Sequence, residues 1–198
     1  MASITVVVTA HADSENLVRI LELLGKQTQK PDEIIALCSK INLEGVWQRF
    51  PWVRFYEEPN LNDWGHDKRA KGLDLATSEY TAWFNHDDSY DQTFIQEMME
   101  SASGGADVIY CGWSKNHTPS FALGQSTSGN YIAKTSYARK AGYTDRHYEA
   151  DGTFINRLAA LGGKIEFLPK VLYSHNEVKQ CPRVLHGNAR KARIRRAD

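Results

Sequence analysis

The sequence predicts an α/β protein with a mixed, mostly parallel sheet flanked by helices. Three observations carry that prediction. Residues 3–9 are β-branched almost throughout, as in a parallel strand buried on both faces. A helix-period stretch over 16–27 and a second β-rich run over 32–38 complete a strand, helix, strand unit. The same alternation returns over 68–85 and again from 94 to 113.

Each element has a local reason. The first helix gathers Leu17, Ile20, Leu21, Leu23 and Leu24 on one face and is broken by Lys30-Pro31. A short helix over 43–50 ends at Pro51, and Val53-Arg54-Phe55-Tyr56 reads as a third strand. A polar loop leads into a helix over 68–76. Phe94, Ile95, Met98 and Met99 give helical spacing, closed by Gly104-Gly105 before a strand over 107–113. Residues 114–130, rich in Ser, Thr, Gly and Asn, show no period and predict a loop or a pair of edge strands. Tyr131-Ile132-Ala133-Lys134, a helix over 136–141, a helix over 151–161 and strands over 164–168 and 171–175 complete the chain.

The run Glu79-Tyr80-Thr81-Ala82-Trp83-Phe84-Asn85-His86-Asp87-Asp88 organises the rest. An apolar strand ends there in two adjacent carboxylates, which are costly to desolvate unless a cation or hydrogen-bond donors neutralise them. Carboxylate oxygens suit Mg²⁺ or Mn²⁺, and ligands of open α/β sheets bind beyond the carboxyl ends of the strands. The same Asp87 and Asp88 could instead cap a helix over 91–103, and the residues alone leave both readings open.

Composition narrows the class. With 198 residues, one domain is expected, residues 1–178, followed by a basic tail over 179–198. Balanced charge, 24 basic against 24 acidic side chains, gives no whole-chain attraction to nucleic acid. Cys38, Cys111 and Cys181 form no framework and fit a reducing, cytoplasmic setting. No segment has the length of a membrane span, and Ile4-Thr5-Val6-Val7-Val8 reads as a strand and not as a leader.

The order of motifs resembles the GT-A (Rossmann-like) fold of family 2 glycosyltransferases over residues 3–175. Thr5-Val6-Val7-Val8-Thr9-Ala10-His11 is similar to the opening strand and loop, Lys26-Gln27-Thr28 to the "QT" helix end, and Glu33-Ile34-Ile35 to the second strand. Lys68-Arg69-Ala70-Lys71-Gly72 followed by residues 76–88 resembles the "ARNxG" helix and "DxDD" metal motif. Residues 151–158 resemble the "EDxxLxxRL" segment that holds the catalytic base. Cys38-Ser39 stands where a pair of Asp usually follows the second strand, Asn85 replaces the first Asp of the metal motif, and Ala150 stands where a Glu often precedes the base.

The resemblance implies a metal-dependent transferase moving a hexose from a UDP-sugar, with UDP-glucose and UDP-galactose foremost, to a sugar, lipid or protein acceptor. Inversion is expected, with some donor hydrolysis. Mn²⁺ or Mg²⁺ would sit on Asp87 and His175. Asp151 would be the base, with Glu149 two residues away as the alternative. Thr9, Ala10, His11, Asp13, Ser39, Arg69, Asn85 and His86 would line the nucleotide; Asp88, Ser128, Gly129 and Asn130 would face the sugar or acceptor.

Bland roles compete for several of these: Asp13 and Asp151 as helix caps, Arg69 on a solvated helix face, and His175 as a surface residue. Trp64 is a candidate platform for a sugar or base. A nucleotidyltransferase lacks support, because no Gly-rich phosphate loop follows the first strand. A degenerate nucleotide-sugar binding module is the non-enzymatic alternative.

Overall fold

The computed structural model describes residues 2–175. In chain order these form β1 (Ile4–His11), α1 (Ser14–Lys26), β2 (Glu33–Ser39), α2 (Val46–Arg49), β3 (Val53–Glu57), α3 (His66–Leu75) and β4 (Tyr80–Asn85). There follow β5 (Ser89–Tyr90), α4 (Phe94–Ala102), β6 (Val108–Trp113), β7 (Tyr131–Lys134), α5 (Thr135–Ala141), α6 (Ala150–Ala160) and β8 (Ile165–Ser174).

One eight-stranded sheet runs β3-β2-β1-β4-β7-β6-β8-β5. Strands β3, β2, β1 and β4 are mutually parallel, and β6 is parallel to β8. Strand β7 is antiparallel to both β4 and β6, and the two-residue β5 is antiparallel to β8. The expected mixed α/β sheet is therefore observed.

Two details differ from the sequence reading, while the 114–130 segment takes one of its two expected forms. The last two expected strands are one strand, β8, whose register with β6 jumps from Cys111↔Leu168 to Gly112↔Val171. Pro169 lies in that jump; lacking an N–H, it cannot continue a ladder and is accommodated by a bulge. Strand β5 was not expected, being too short to show a period. The 114–130 segment is a loop, with one isolated bridge between Trp113 and Asn116.

The core lies on both faces of the sheet because alternate residues of β1, β2 and β4 project oppositely. Val6, Val8, Ala36 and Phe84 meet α1 and α4 through Leu17, Leu21, Phe94 and Met98. Val7, Leu37 and Trp83 meet α3 and α6 through Leu73, Phe154 and Leu158 on the other side. Each such buried side chain contributes roughly 1.5–3 kcal/mol.

Two contacts fix helices onto the sheet. A Cβ on Gly72 would lie 2.2 Å from Val7 Cγ1, so glycine lets α3 rest directly on β1. Gln27, at the end of α1, accepts from Ile95 N (3.1 Å) and donates to Asp91 O (2.8 Å), tying α1 to the start of α4. Cys38 and Cys111 are unpaired and buried, and burial pushes both thiols up to about 12. Cys181 and the basic tail lie outside the described residues.

Candidate active site at the carboxyl ends of β1 and β4

From β1 the chain leaves toward β2 on one side, while β4 inserts on the other. That reversal makes the carboxyl ends of β1 and β4 a topological switch point, the place where open α/β sheets bind ligands. Strand alternation places Thr9, His11, Ser39 and Asn85 on the face that α3 covers, in phase with Val7, Leu37 and Trp83. His11 Nδ1 and Ser39 Oγ lie 2.9 Å apart. The turn after β4 is pinned by backbone and by α1: His86 N donates to Thr9 O (3.1 Å), and Arg19 Nη2 donates to the carbonyls of His86 (2.7 Å) and Asp88 (2.6 Å).

The two adjacent carboxylates part company at this turn. Asp88 is fully buried, accepting from Asn85 Nδ2 (2.7 Å) and Tyr173 O–H (2.8 Å), with His175 Nδ1 at 3.1 Å. Asp87 is only partly buried and lies 3.8 Å from His86 Nδ1. The helix they were candidates to cap begins at Phe94 instead, and Asp91 Oδ1 takes the Thr93 N–H at 2.8 Å.

Asn85 links Asp88 to a buried cation. Its Oδ1 accepts from Arg69 Nη2 (2.7 Å) and Thr9 Oγ1 (3.0 Å), while Nδ2 also approaches Ser128 Oγ (3.4 Å). Arg69 is not on a solvated helix face: it is buried, and Nη1 donates to Trp64 O at 3.0 Å. Burial works against its charge, but Tyr143, Asp151, Asp88 and Tyr131 outweigh that and hold its pKa above the ordinary value.

Around Arg69 lie buried polar atoms that have no hydrogen-bond partner among the described residues: Arg69 Nε, His66 Nε2 and Tyr131 Oη. His66 Nδ1 faces Arg69 Nη1 and Tyr143 Oη, each at 3.3 Å, which puts the ring proton on Nε2. Burial, then the Arg69 charge, pulls His66 down to about 4, so the ring is neutral. Burial likewise lifts the Tyr131 phenol well above its ordinary range, so it keeps its proton. Arg69 Nε, His66 Nε2 and the Tyr131 hydroxyl can each donate a hydrogen bond.

Asp151 stands inside the first turn of α6, next to this group. Its charge acts on Arg69, His66, Tyr131 and Tyr143. Its Oδ1 takes the neighbouring Gly152 N–H at 2.8 Å, and the cap position belongs to Glu149, whose side chain is exposed and makes no cap bond. Asp13 does cap α1, accepting from Asn16 N and Asn16 Nδ2, each at 2.9 Å.

Other expected site residues are enclosed. Asn130 spends its amide on Cys111 O (2.7 Å) and the Thr127 N–H (2.9 Å). Ser128 and Gly129 are buried, and a Cβ on Gly129 would lie 2.2 Å from the Tyr173 ring. Sequence reading missed Arg19, His66, Lys68, Tyr131 and Tyr143. For His66 and Lys68 the available signal was polar residues on the buried side of α3, a pattern that hydrophobic period does not report.

Among the described residues no three His, Cys, Asp or Glu side chains converge to hold a metal ion. The donor set therefore does not form a closed cage. Asp87, partly buried in the turn after β4, is the carboxylate there that is not enclosed.

The fold is an open, mostly parallel α/β sheet, with buried donors on Arg69, His66 and Tyr131 and the carboxylate of Asp151 beside them. The sequence profile described as glycosyl transferase family 2 matches residues 5–162, and the chain belongs to that family. Its structure is similar to that of Staphylococcus aureus TarS 1–349, with a TM-score of 0.70, 15% identity, and coverage of 88% of this chain and 60% of that one. The same TarS fragment in complex with UDP aligns at TM-score 0.69 and 13% identity, covering 87% of this chain and 60% of that one. In complex with UDP-GlcNAc it aligns at TM-score 0.70 and 13% identity, covering 89% and 59%. The chain thus spans about 60% of the length of that TarS fragment. No curated protein matches the chain.

Proposed function

We propose that this chain is a metal-dependent hexosyltransferase that uses a UDP-sugar, with UDP-glucose and UDP-galactose the first donors to examine, and inverts the anomeric centre. Residues 1–178 would be one catalytic domain in a reducing, cytoplasmic setting, with 179–198 as a basic appendage. The observation that carries the reading is the cluster of orphaned donors on Arg69, His66 and Tyr131 beside Asp151. Their character suits diphosphate and sugar oxygens. The TarS complexes with UDP and UDP-GlcNAc support a UDP-sugar as donor class.

In this reading Asp151 accepts the proton of the acceptor hydroxyl as its oxygen bonds to the anomeric carbon. The bond from that carbon to the phosphate oxygen breaks, and its electron pair leaves with UDP. Arg69, desolvated and permanently charged, stabilises the negative charge that develops. Asp87 would hold Mn²⁺ or Mg²⁺, with His175 contributing through Nε2, and the ion would neutralise the diphosphate. Thr9, His11, Ser39 and Asn85 border the nucleotide side, and the acceptor approaches from α6.

Calorimetric titration of UDP, with GDP as control, in Mn²⁺ and then in chelator tests the reading. Metal-dependent, UDP-selective binding is expected, followed by turnover of a UDP-hexose. The enclosure of Asp88 favours a second reading, a binding module without turnover. UDP binding with no release of UDP from any UDP-hexose, even into water, would establish that alternative.

A further inference from the structure

Two large aromatic side chains stand in solvent beside the site. Trp64 is 56% exposed and Tyr148 72%, and their rings meet edge to face, with centroids 5.6 Å apart and planes at 79°. Single exposed apolar residues are ordinary, but a matched pair of rings is not. Trp64 also holds a left-handed backbone, φ +55°, which is costly for a bulky residue and which glycine or asparagine adopts more easily. An indole placed there gains neither full burial nor backbone ease, so stability does not account for it. Strain of this kind gathers at ligand sites.

Both rings are carried by segments that also carry the site. Trp64 O accepts from Arg69 Nη1 at 3.0 Å, and Asp63, directly before it, fixes the turn by accepting from Gly65 N (3.1 Å) and Asp67 N (2.6 Å). Tyr148 precedes Glu149, the cap of α6, so Asp151 lies three residues on, within about 11 Å along the chain. Arg146 ties the two segments together: its Nη2 donates to Asp67 Oδ1 at 2.8 Å, and its Nη1 donates to the Tyr143 carbonyl at 3.2 Å. Trp64 and Tyr148 are thus held together by more than their own contact, between the turn that receives Arg69 and the helix that carries Asp151.

The chemistry of this aromatic corner selects its ligand. The rings offer flat apolar surface, and the chain beside them supplies polar groups, Asn60 and Asn62 before Trp64 and Arg146 and His147 before Tyr148. A pyranose matches that mixture, because its C–H faces are apolar while the hydroxyls around its rim need hydrogen-bond partners. An alkyl chain laid there would desolvate the same polar groups without pairing them.

We propose that Trp64 and Tyr148 form the acceptor platform and that the acceptor is a carbohydrate, a pyranose packing a C–H face on these rings with a hydroxyl directed to Asp151. The acceptor role rests on the transferase reading above, in which Asp151 takes the acceptor's proton.

The test is titration of wild type, Trp64→Asn, Trp64→Phe and Tyr148→Ala by ligand-observed NMR with cellobiose, lactose, chitobiose and octyl phosphate as probes. Calorimetry of UDP in Mn²⁺ and a thermal melt accompany each variant. Asparagine keeps the left-handed turn at position 64 while removing the ring. Wild type should bind at least one disaccharide. Trp64→Asn and Tyr148→Ala should each weaken that binding about tenfold, the upper end for one aromatic contact, with UDP affinity unchanged. Trp64→Phe should retain most of it. If one variant does not fold, the other decides. Binding of octyl phosphate alone, binding of no probe, or disaccharide affinity unchanged in the variants overturns the carbohydrate platform. A tenfold loss of UDP affinity in Trp64→Asn overturns the acceptor assignment and sets the ring against the donor. Wild type that binds a disaccharide through both rings but no UDP overturns the transferase reading, and the acceptor role with it.

Discussion

Asn85 donates to the Asp88 carboxylate at 2.7 Å while accepting from Arg69 at the same distance, so a neutral amide stands between a buried cation and a buried anion. An amide satisfies both neighbours, because it offers a donor to one side and an acceptor to the other, which a carboxylate cannot do. Asp88, held in addition by Tyr173 and His175, organises the turn that carries Asp87.

Asn85→Asp should keep the contact with Arg69 but set two carboxylates against each other. A loss of about 1–3 kcal/mol is expected at pH 7. The repulsion raises a folded-state carboxyl pKa in the variant, so the deficit grows as pH rises through that value and shrinks toward pH 4. Urea denaturation of both proteins at pH 7 and pH 5 checks this; a deficit equal at both pH values would contradict the contact.

His66 imposes its own pH dependence. Its folded pKa of about 4 lies below the unfolded value near 6.5, so the unfolded chain takes up the proton first. Stability is fully present above about pH 6.5 and falls as pH drops toward 4, by on the order of 3 kcal/mol. His66→Gln should flatten that part of the stability profile, measured by denaturant unfolding across pH 4 to 7.5. An unchanged slope would argue against a buried neutral ring.

Binding and turnover should separate at the site. Asp151→Asn is expected to lower turnover of a UDP-hexose by about 10²–10⁴-fold with UDP affinity intact. Asp87→Ala should instead abolish the difference in UDP affinity between Mn²⁺ and chelator. Unaltered turnover in the first variant, or a retained metal effect in the second, would remove those roles.

Gly129 leaves room for the Tyr173 ring whose hydroxyl holds Asp88. Gly129→Ala places a Cβ 2.2 Å from that ring and should displace it, at about 1–3 kcal/mol for overpacking. Tyr173→Phe, which loses only the hydroxyl, should cost about 1.5–3 kcal/mol through the weakened hold on Asp88. Thermal melts of the two variants compare these; a Gly129→Ala melt matching wild type would show that the ring is not held there.

Much of the architecture was legible along the chain. β1, α1 and β2 announce themselves through β-branched runs and a leucine face, and Asp13 caps α1 at the expected place. The carboxylates after β4 pointed to the switch point. Strand β5 and the bulge in β8 were not legible, since both exist only through pairing with a strand distant in sequence.

The sequence by itself determined the alternation of strands and helices, the family, and the stretch where charge gathers, because period, caps and adjacent carboxylates are local properties. Only the tertiary structure decided that Asp88 is enclosed while Asp87 stays nearer solvent, that Arg69 and Lys68 are buried, and that Asp151 rather than Glu149 adjoins the orphaned donors. The physical reason is distance along the chain. Asp88 is held by Tyr173, 85 residues away, and a carboxylate's role depends on which donors folding brings to it.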